Sequence, residues 1–414
     1  MIYSKCICNV LERQMNNMTN GALAGVRVID LTRVIAGPHC TMILGDLGAD
    51  VIKIEKSQGG DIGRGYGPYY KGESIYYMTH NRNKKSITLN FRHPKAHKIL
   101  IDLIKDADVL VENYKAGTLE KMGLDPKDLL EINPGLVITR ISGFGQEGPY
   151  SKRPCFDAVA QSISGLMDMN GEIDQPPEMI GAYVCDISAA LYGVIGTLAA
   201  LYRKKVTGRG QVVDVSLLDS AMPLTHTAIL NYFLCGDVIT RNGNQDRAAW
   251  PSNFYFTKDH KMVYIHLGND SEFKAFCKMS GQEELLKDPY WATLDGRGEH
   301  IEECDKMIAD YAAQYDMATL CDMCDQNNIP NAPVNSVSEA VNNEQLIYRK
   351  MIREVEHPKF GKIMSPGPVV KMSETDTDVY NTAPDLGQDN DLIYGEYLGL
   401  SKSEIETMKK DGVI

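Results

Sequence analysis

The sequence predicts an α/β protein: a parallel sheet with helices packed against it, joined to a smaller α+β domain. Strand-like and helix-like patterns alternate from Val26 to Ser142, the signature of successive βαβ units. After about Leu230 that alternation gives way to a hairpin pattern followed by helical segments. The chain has 414 residues, enough for two or three domains with a sizeable core.

The elements follow in order. "VRVIDLT", "GPHCTMILGDLGA" and "DVIKIEK" read as strand, helix and strand, with Pro38 near the helix start. "HKILIDLIKDA" is an amphipathic helix leading into the strand "DVLVENY", and after Pro126 to Asn133 comes another strand, "GLVITRIS". Ligands of such sheets sit at the loops after the strand C-termini. "YVCDISAALYGVIGTLAALYRKKVTGRGQ" predicts a helix in which Ile187, Leu191, Val194, Leu198 and Leu201 make one buried stripe. Arg203 to Lys205 and Gly208 mark its end. Ser188, Ala189, Gly193, Gly196 and Ala199 lie off that stripe, where backbone or a ligand could come close. Asp186 opens this helix, either as its cap or as a carboxylate kept ionised beside a crowded site.

"NFYFTKDHKMVYIHLG" predicts a β-hairpin turning at Lys258 to Lys261, and "SEFKAFCKMSG" and "HIEECDKMIADYAAQY" predict helices. "PGPVVKMSETDTDVYNTAPDLGQDN" reads as a long extended connection, and the last helix opens with Ser401 as N-cap and Glu404 three residues on. The expected division is a flexible extension at 1–20, a large domain at 21–225, a small α+β domain at 226–331, and a returning segment at 332–414.

Composition narrows the function classes. A net charge of −12 and a pI near 5.3 argue against a nucleic-acid-binding chain, which needs a basic face for phosphate. Apolar stretches broken by Gly, Tyr, Asp or Lys predict no transmembrane segment, and the first twenty residues lack a secretory pattern, so the expected location is cytoplasmic. The ten cysteines form no paired framework, and the Cys321 to Cys324 CxxC lacks a second pair at zinc spacing, so helix packing is expected there and no metal site. "GFGQEG", Gly143 to Gly148, matches GxGxxG after a strand, but Pro149 follows where a phosphate-binding helix would begin. Better phosphate-seeking groups are the basic residues placed after predicted strands: Arg33, Lys56, Arg92 and Lys121.

Several motifs in one order, "VIDLTRVIAGPHCTMILGDLGADVIKIEK", "NRNKKSITLN", "DVLVENYKAGTLEKMGL", "SGFGQEGPYSKRPCFDAVAQSISGL" and "TGRGQVVDVSLLD", resemble the class III (CaiB/BaiF-type) coenzyme A transferases, the group that includes formyl-CoA transferase. The likeness runs from about Gly21 to the C-terminus. It implies a homodimer of interlocked rings, with a Rossmann-like large domain assembled from both chain ends and a small domain between them. It implies Asp186 as nucleophile, forming an aspartyl anhydride and then an aspartyl-CoA thioester, so that CoA passes from an acyl-CoA donor to a free carboxylic acid. Coenzyme A would be substrate rather than resident cofactor, and the partners an acyl-CoA and a small acid. The family's CoA-binding positions fall on Arg33, Ile35, Ala36, Lys56, Leu89 to Arg92, Asn113, Tyr114, Lys115, Lys121, Phe156 and Asp157. Lysine at 56 and 121 replaces the family's arginine, keeping charge without the bidentate fork. Backbone N–H groups, for instance from Gly143 to Gly148, would stabilise the oxyanions, and Gln245 to Trp250 would face the acceptor acid. The alternatives are a racemase or isomerase of the same fold and a non-catalytic acyl-CoA-binding protein. Phe156 stands where the racemases carry a proton-transferring histidine, and phenylalanine cannot move a proton.

Overall fold

The computed structural model describes residues 20–414; the expected flexible extension lies outside them, apart from Asn20. The chain divides into two compact units. The first takes in residues up to Leu166, Ile180–His226 and Ile347–Ile414, and the second Met167–Met179 and Thr227–Leu346.

The first unit is built on six strands: β1 (Arg27–Asp30), β2 (Asp50–Glu55), β3 (Lys84–Thr88), β4 (Val109–Glu112), β5 (Val137–Ser142) and β6 (Val212–Ser216). All pair in parallel, in the order β3-β2-β1-β4-β5-β6. Near-continuous apolar strands are what a sheet covered on both faces requires. Side chains accordingly alternate between two cores. Ile29, Ile52, Ile54, Leu110 and Ile138 face one; Val28, Val51, Val109, Val111 and Val137 face the other. The first core holds helix α2 (Ala96–Ile104). The second holds α1 (Ala36–Asp46) and α4 (Val184–Thr207), with α3 (Asp157–Ser164) and α5 (Leu217–Ala221) packed on α4. Both chain ends build this unit: Tyr394 donates its hydroxyl to the Thr88 carbonyl (2.7 Å) and the Asn90 N–H bonds to Val413 O (2.7 Å).

Helix α4 bears out the expected stripe in part: Val194 is buried and Leu198 and Leu201 pack against the core, but Leu191 is exposed. Its buried residues are Cys185, Ala189, Ala190, Gly193, Val194, Thr197 and Ala200, whereas Leu191, Ile195 and Tyr202 are exposed. The helix lies so close to the sheet that a Cβ on Gly196 would meet Val213 Cγ1 at 2.5 Å, and one on Gly193 would meet Ile141 Cδ1 at 2.9 Å. Small residues therefore line the side nearest the sheet, at the positions off the stripe where a close approach was expected. Helix α4 has 24 residues and an 18-residue window of mean hydropathy 1.7, so by length and composition alone it could cross a membrane, a test that core helices also pass. Here its inner face is covered by α1, β5 and β6.

The second unit carries an antiparallel sheet of β7 (Ser252–Phe256), β8 (Met262–His266) and β9 (Asn331–Pro333). Helices α6 (Ala228–Cys235), α7 (Asp270–Ser280), α8 (Ile301–Ala312) and α9 (Met317–Gln326) belong to it. The hairpin turn falls where the sequence put it. Asn331 opens a third strand hidden in the sequence by Pro330 and Pro333, and the unit continues to Leu346. In α9, Cys324 is buried in the core of this unit, and among the described residues no cluster could hold a metal ion. Helix α10 (Lys402–Lys410) of the first unit starts with a capping box between Ser401 and Glu404.

Candidate active site

Strand β1 lies between β2 and β4, so the winding of the sheet reverses there and leaves a crevice at their C-terminal ends. The loops after β1 and β4 are pinned together across it. The Arg33 N–H donates to Asn113 Oδ1 (2.8 Å) and Asn113 Nδ2 donates to the Arg33 carbonyl (2.7 Å). Gly37 is required for this approach: a Cβ there would lie 2.4 Å from Thr32 Cβ.

The Ala36 N–H, at the start of α1, faces the Asp186 carboxylate. A helix N-terminus favours an anion. Asp186 sits in the first turn of α4 but does not cap it. That task falls to Asp157, whose Oδ2 accepts the N–H groups of Cys185 (2.7 Å) and Asp186 (3.1 Å). Gln161 Nε2 holds the other oxygen (2.5 Å). Asp157 is buried with its carboxylate committed inward, so the expected ligand contact through its side chain is not available. The Asp186 carboxyl is pushed up to about 7, by burial first and by the negative charge of Asp157 second, while the Ala36 N–H pulls it down. Desolvation and a like charge thus outweigh the amide.

The expected CoA residues separate into two groups. Arg33, Lys56, Arg92, Lys115 and Lys121 are exposed and lie after the ends of β1, β2, β3 and β4. Among the described residues no carboxylate pairs with any of them, whereas neighbouring cations such as Lys53, Arg64, Lys84 and Arg140 are all in ion pairs. Arg33 lies over the Tyr114 ring at 5.4 Å, and Phe156 is 65% exposed. Ile35 and Ala36 are buried and offer backbone only. Leu89 is fully buried in the core and its N–H bonds to Glu55 O (2.7 Å), so its side chain reaches no ligand.

The Gly143 to Gly148 loop bends as its glycines allow, with Gly145 and Gly148 at φ 82° and 88°. Its Gln146 N–H is taken by Asp214 (3.0 Å). Tyr76 was not anticipated from sequence. Its ring meets Tyr183 edge-on at 6.4 Å and His80 at 5.8 Å, and it feels the Asp186 charge. Behind it, His39 and His80 share a hydrogen bond between their Nδ1 atoms (3.2 Å). Burial drives both histidines well below the usual imidazole range, to about 4 and about 3. The tyrosine-rich run "YYKGESIYYMTH" was the available signal.

In the second unit the stretch around Gln245 is held by its own contacts. Asp305 accepts from Gln245 (3.0 Å), Asn253 (3.1 Å) and the Tyr255 hydroxyl (2.6 Å). Tyr255 is core, and Tyr232 is exposed.

A half-buried carboxylate facing the helix start at the switch point of a parallel sheet, with unpaired cations after the ends of the strands, fits an enzyme acting on an anionic ligand. Residues 23–390 match CoA-transferase family III, and the chain belongs to that family. It is similar to the succinyl-CoA–D-citramalate CoA-transferase of Chloroflexus aurantiacus, 36% identical over 95% of this chain and 98% of that one. It is also similar to the mouse (Mus musculus) succinyl-CoA:glutarate CoA-transferase, 36% identical over 95% and 90%, and to the formyl-CoA:oxalate CoA-transferase of Streptomyces coelicolor, 33% identical over 96% and 100%. Among solved structures it is similar to a CaiB/BaiF family protein from Brucella suis, with a TM-score of 0.81 and 32% identity, over 92% of this chain and all of that one.

Proposed function

We propose that the protein transfers coenzyme A from an acyl-CoA donor to a free carboxylic acid through covalent intermediates on Asp186. The observation that carries this is the half-buried Asp186 carboxylate facing the Ala36 N–H. It is poised to ionise near neutral pH without a basic partner to pass protons.

The chemistry asks for no proton carrier. The Asp186 carboxylate adds to the donor thioester carbonyl and expels CoA thiolate, leaving a mixed anhydride. The thiolate adds to the aspartyl carbonyl and expels the donor acid as its carboxylate, leaving an aspartyl-CoA thioester. The acceptor carboxylate then runs both steps in reverse, forming an anhydride with Asp186 and finally its own CoA thioester. Each step exchanges one anion for another, which agrees with phenylalanine at 156 and disfavours the racemase reading. Exclusion of water preserves the anhydride, and the Ala36 amide is the donor aimed at charge on the aspartyl group.

Arg33, Lys56, Arg92, Lys115 and Lys121 bind the CoA phosphates in this proposal, with Asn113, Tyr114 and Phe156 beside them and Ile35 and Ala36 contributing backbone. The names of the relatives suggest succinyl-CoA as donor and a dicarboxylic acid such as citramalate or glutarate as acceptor. The working form is an interlocked homodimer, which would cover the exposed Leu191, Ile195 and Tyr202 of α4.

The test is intact-protein mass spectrometry after incubation with succinyl-CoA and hydroxylamine, with wild type and Asp186→Ala compared. An activated aspartyl carbonyl becomes a hydroxamate, about 15 Da heavier. The label is expected on wild type alone. An unlabelled wild type that still binds CoA would turn the assignment toward the binding-protein reading.

A further inference from the structure

Between β1 and α1 the backbone does something a valine avoids. Val34 has φ 73°, in the left-handed region, where a β-branched side chain crowds its own backbone. Such a conformation persists only when its surroundings impose it.

The surroundings here centre on Asp61, from a part of the chain that neither sequence pattern nor family likeness had marked. Its Oδ1 accepts the Val34 N–H (3.1 Å) and the Gly63 N–H (2.9 Å). Its Oδ2 faces Lys53 Nζ at 2.9 Å, and Lys53 in turn donates to the Thr32 carbonyl (2.7 Å). Asp61 is itself held from behind, its N–H on Glu55 Oε2 (2.9 Å). Lys53 and Asp61 are both buried, so water does not compete for these bonds. Residues 32 to 34 are thus tied at Thr32 by Lys53, at Arg33 by Asn113 and at Val34 by Asp61. Two residues further on stands Ala36, whose N–H faces Asp186. Relaxing Val34 to an ordinary φ would rotate the peptides that follow and swing that N–H away.

We propose that Asp61 is a positioning residue for CoA transfer: it locks Val34 in the left-handed conformation and thereby aims the Ala36 N–H at the Asp186 carboxylate. The inference rests on the covalent reading given above. It assigns Asp61 no contact with substrate.

The competing role is structural, with Asp61 serving only as counter-ion to buried Lys53. A glycine at 34 separates the two, because glycine takes positive φ without strain. Asp61→Ala is expected to lower kcat at least about tenfold while the KM for acyl-CoA stays within about threefold. Adding Val34→Gly is expected to recover at least about half of that loss on a logarithmic scale. Asp61→Asn keeps an acceptor for the Val34 N–H but loses the charge facing Lys53. It should retain most of kcat with a lower Tm, and it supplies a second reading should Asp61→Ala not fold. Hydroxylamine labelling of wild type is run in parallel. Labelled wild type with no rescue by Val34→Gly, or with Asp61→Asn as impaired in kcat as Asp61→Ala, would overturn the positioning role alone. Unlabelled wild type would overturn the covalent reading and this inference with it.

Discussion

The carboxylate of Asp157 accepts the backbone N–H groups of both Cys185 and Asp186, so one acidic side chain anchors the helix that carries another. The arrangement is costly for Asp186, whose pKa is raised to about 7 by burial and by this neighbour. Transfer needs the ionised form. Activity should therefore fall as pH drops through about 7, tenfold for each further unit. Asp157→Asn keeps an oxygen for the two amides and removes the charge, so the acidic limb should move to lower pH. A profile of kcat/KM against pH measures it. An unmoved limb would mean that Asp157 does not tune the nucleophile.

The same shift has a consequence for stability. A carboxyl whose folded pKa lies above its unfolded value of 3.8 binds its proton more tightly in the folded state. Folding is then unpenalised below about pH 4 and progressively penalised as pH rises toward 7. Asp186→Asn removes the penalty. Allowing for partial solvation, a gain of about 1–3 kcal/mol is expected above pH 7, seen as a Tm higher by a few degrees, with little difference near pH 4. Equal Tm values at pH 8 would show that Asp186 is better solvated than its burial implies.

The sheet was legible because βαβ periodicity is a local property. "VRVIDLT", "DVIKIEK", "DVLVENY" and "GLVITRIS" all contain strands of the parallel sheet. Strand β6 is not legible, since "VVDVS" is short and half polar, and β3, "KKSIT", is implied only by the placement of Arg92 after a strand end. The buried face of α4 was legible only in part, for a different reason, with Val194 inside but Leu191 exposed. Helical periodicity locates a large apolar stripe but cannot say whether a sheet lies close enough to demand small residues instead. Asp186 was singled out by its helix start and by family likeness. Asp157 and Asp61 act on backbone N–H groups 28 and 27 residues away in sequence, and no local pattern encodes such a contact.

The cations at the strand ends give a graded expectation. Lys56→Gln and Lys121→Gln should each raise the KM for acyl-CoA about threefold to fivefold, as for an exposed charge pair of about 0.5–1 kcal/mol, with kcat nearly unchanged. Higher salt should weaken wild type more than either variant, because screening acts on the contacts that the variants have already lost. Steady-state kinetics at two ionic strengths tests this. A fall in kcat with unchanged KM would remove these lysines from phosphate binding.

Helix α4 makes opposite predictions for its two faces. On the inner face, a methyl at Gly196 would stand 2.5 Å from Val213 Cγ1, inside any tolerable contact. Gly196→Ala should therefore destabilise the fold by about 1–3 kcal/mol, despite the better helix propensity of alanine. On the outer face, Ile195 is 60% exposed in the single chain. Ile195→Glu should leave Tm of the isolated subunit nearly unchanged if that face is merely wet. If it is the seam of a homodimer, burying an unpaired carboxylate there should break the assembly. Sedimentation velocity on wild type and Ile195→Glu decides between them. Dimer for wild type and monomer for the variant is the expected result, and identical sedimentation would place the subunit contact elsewhere.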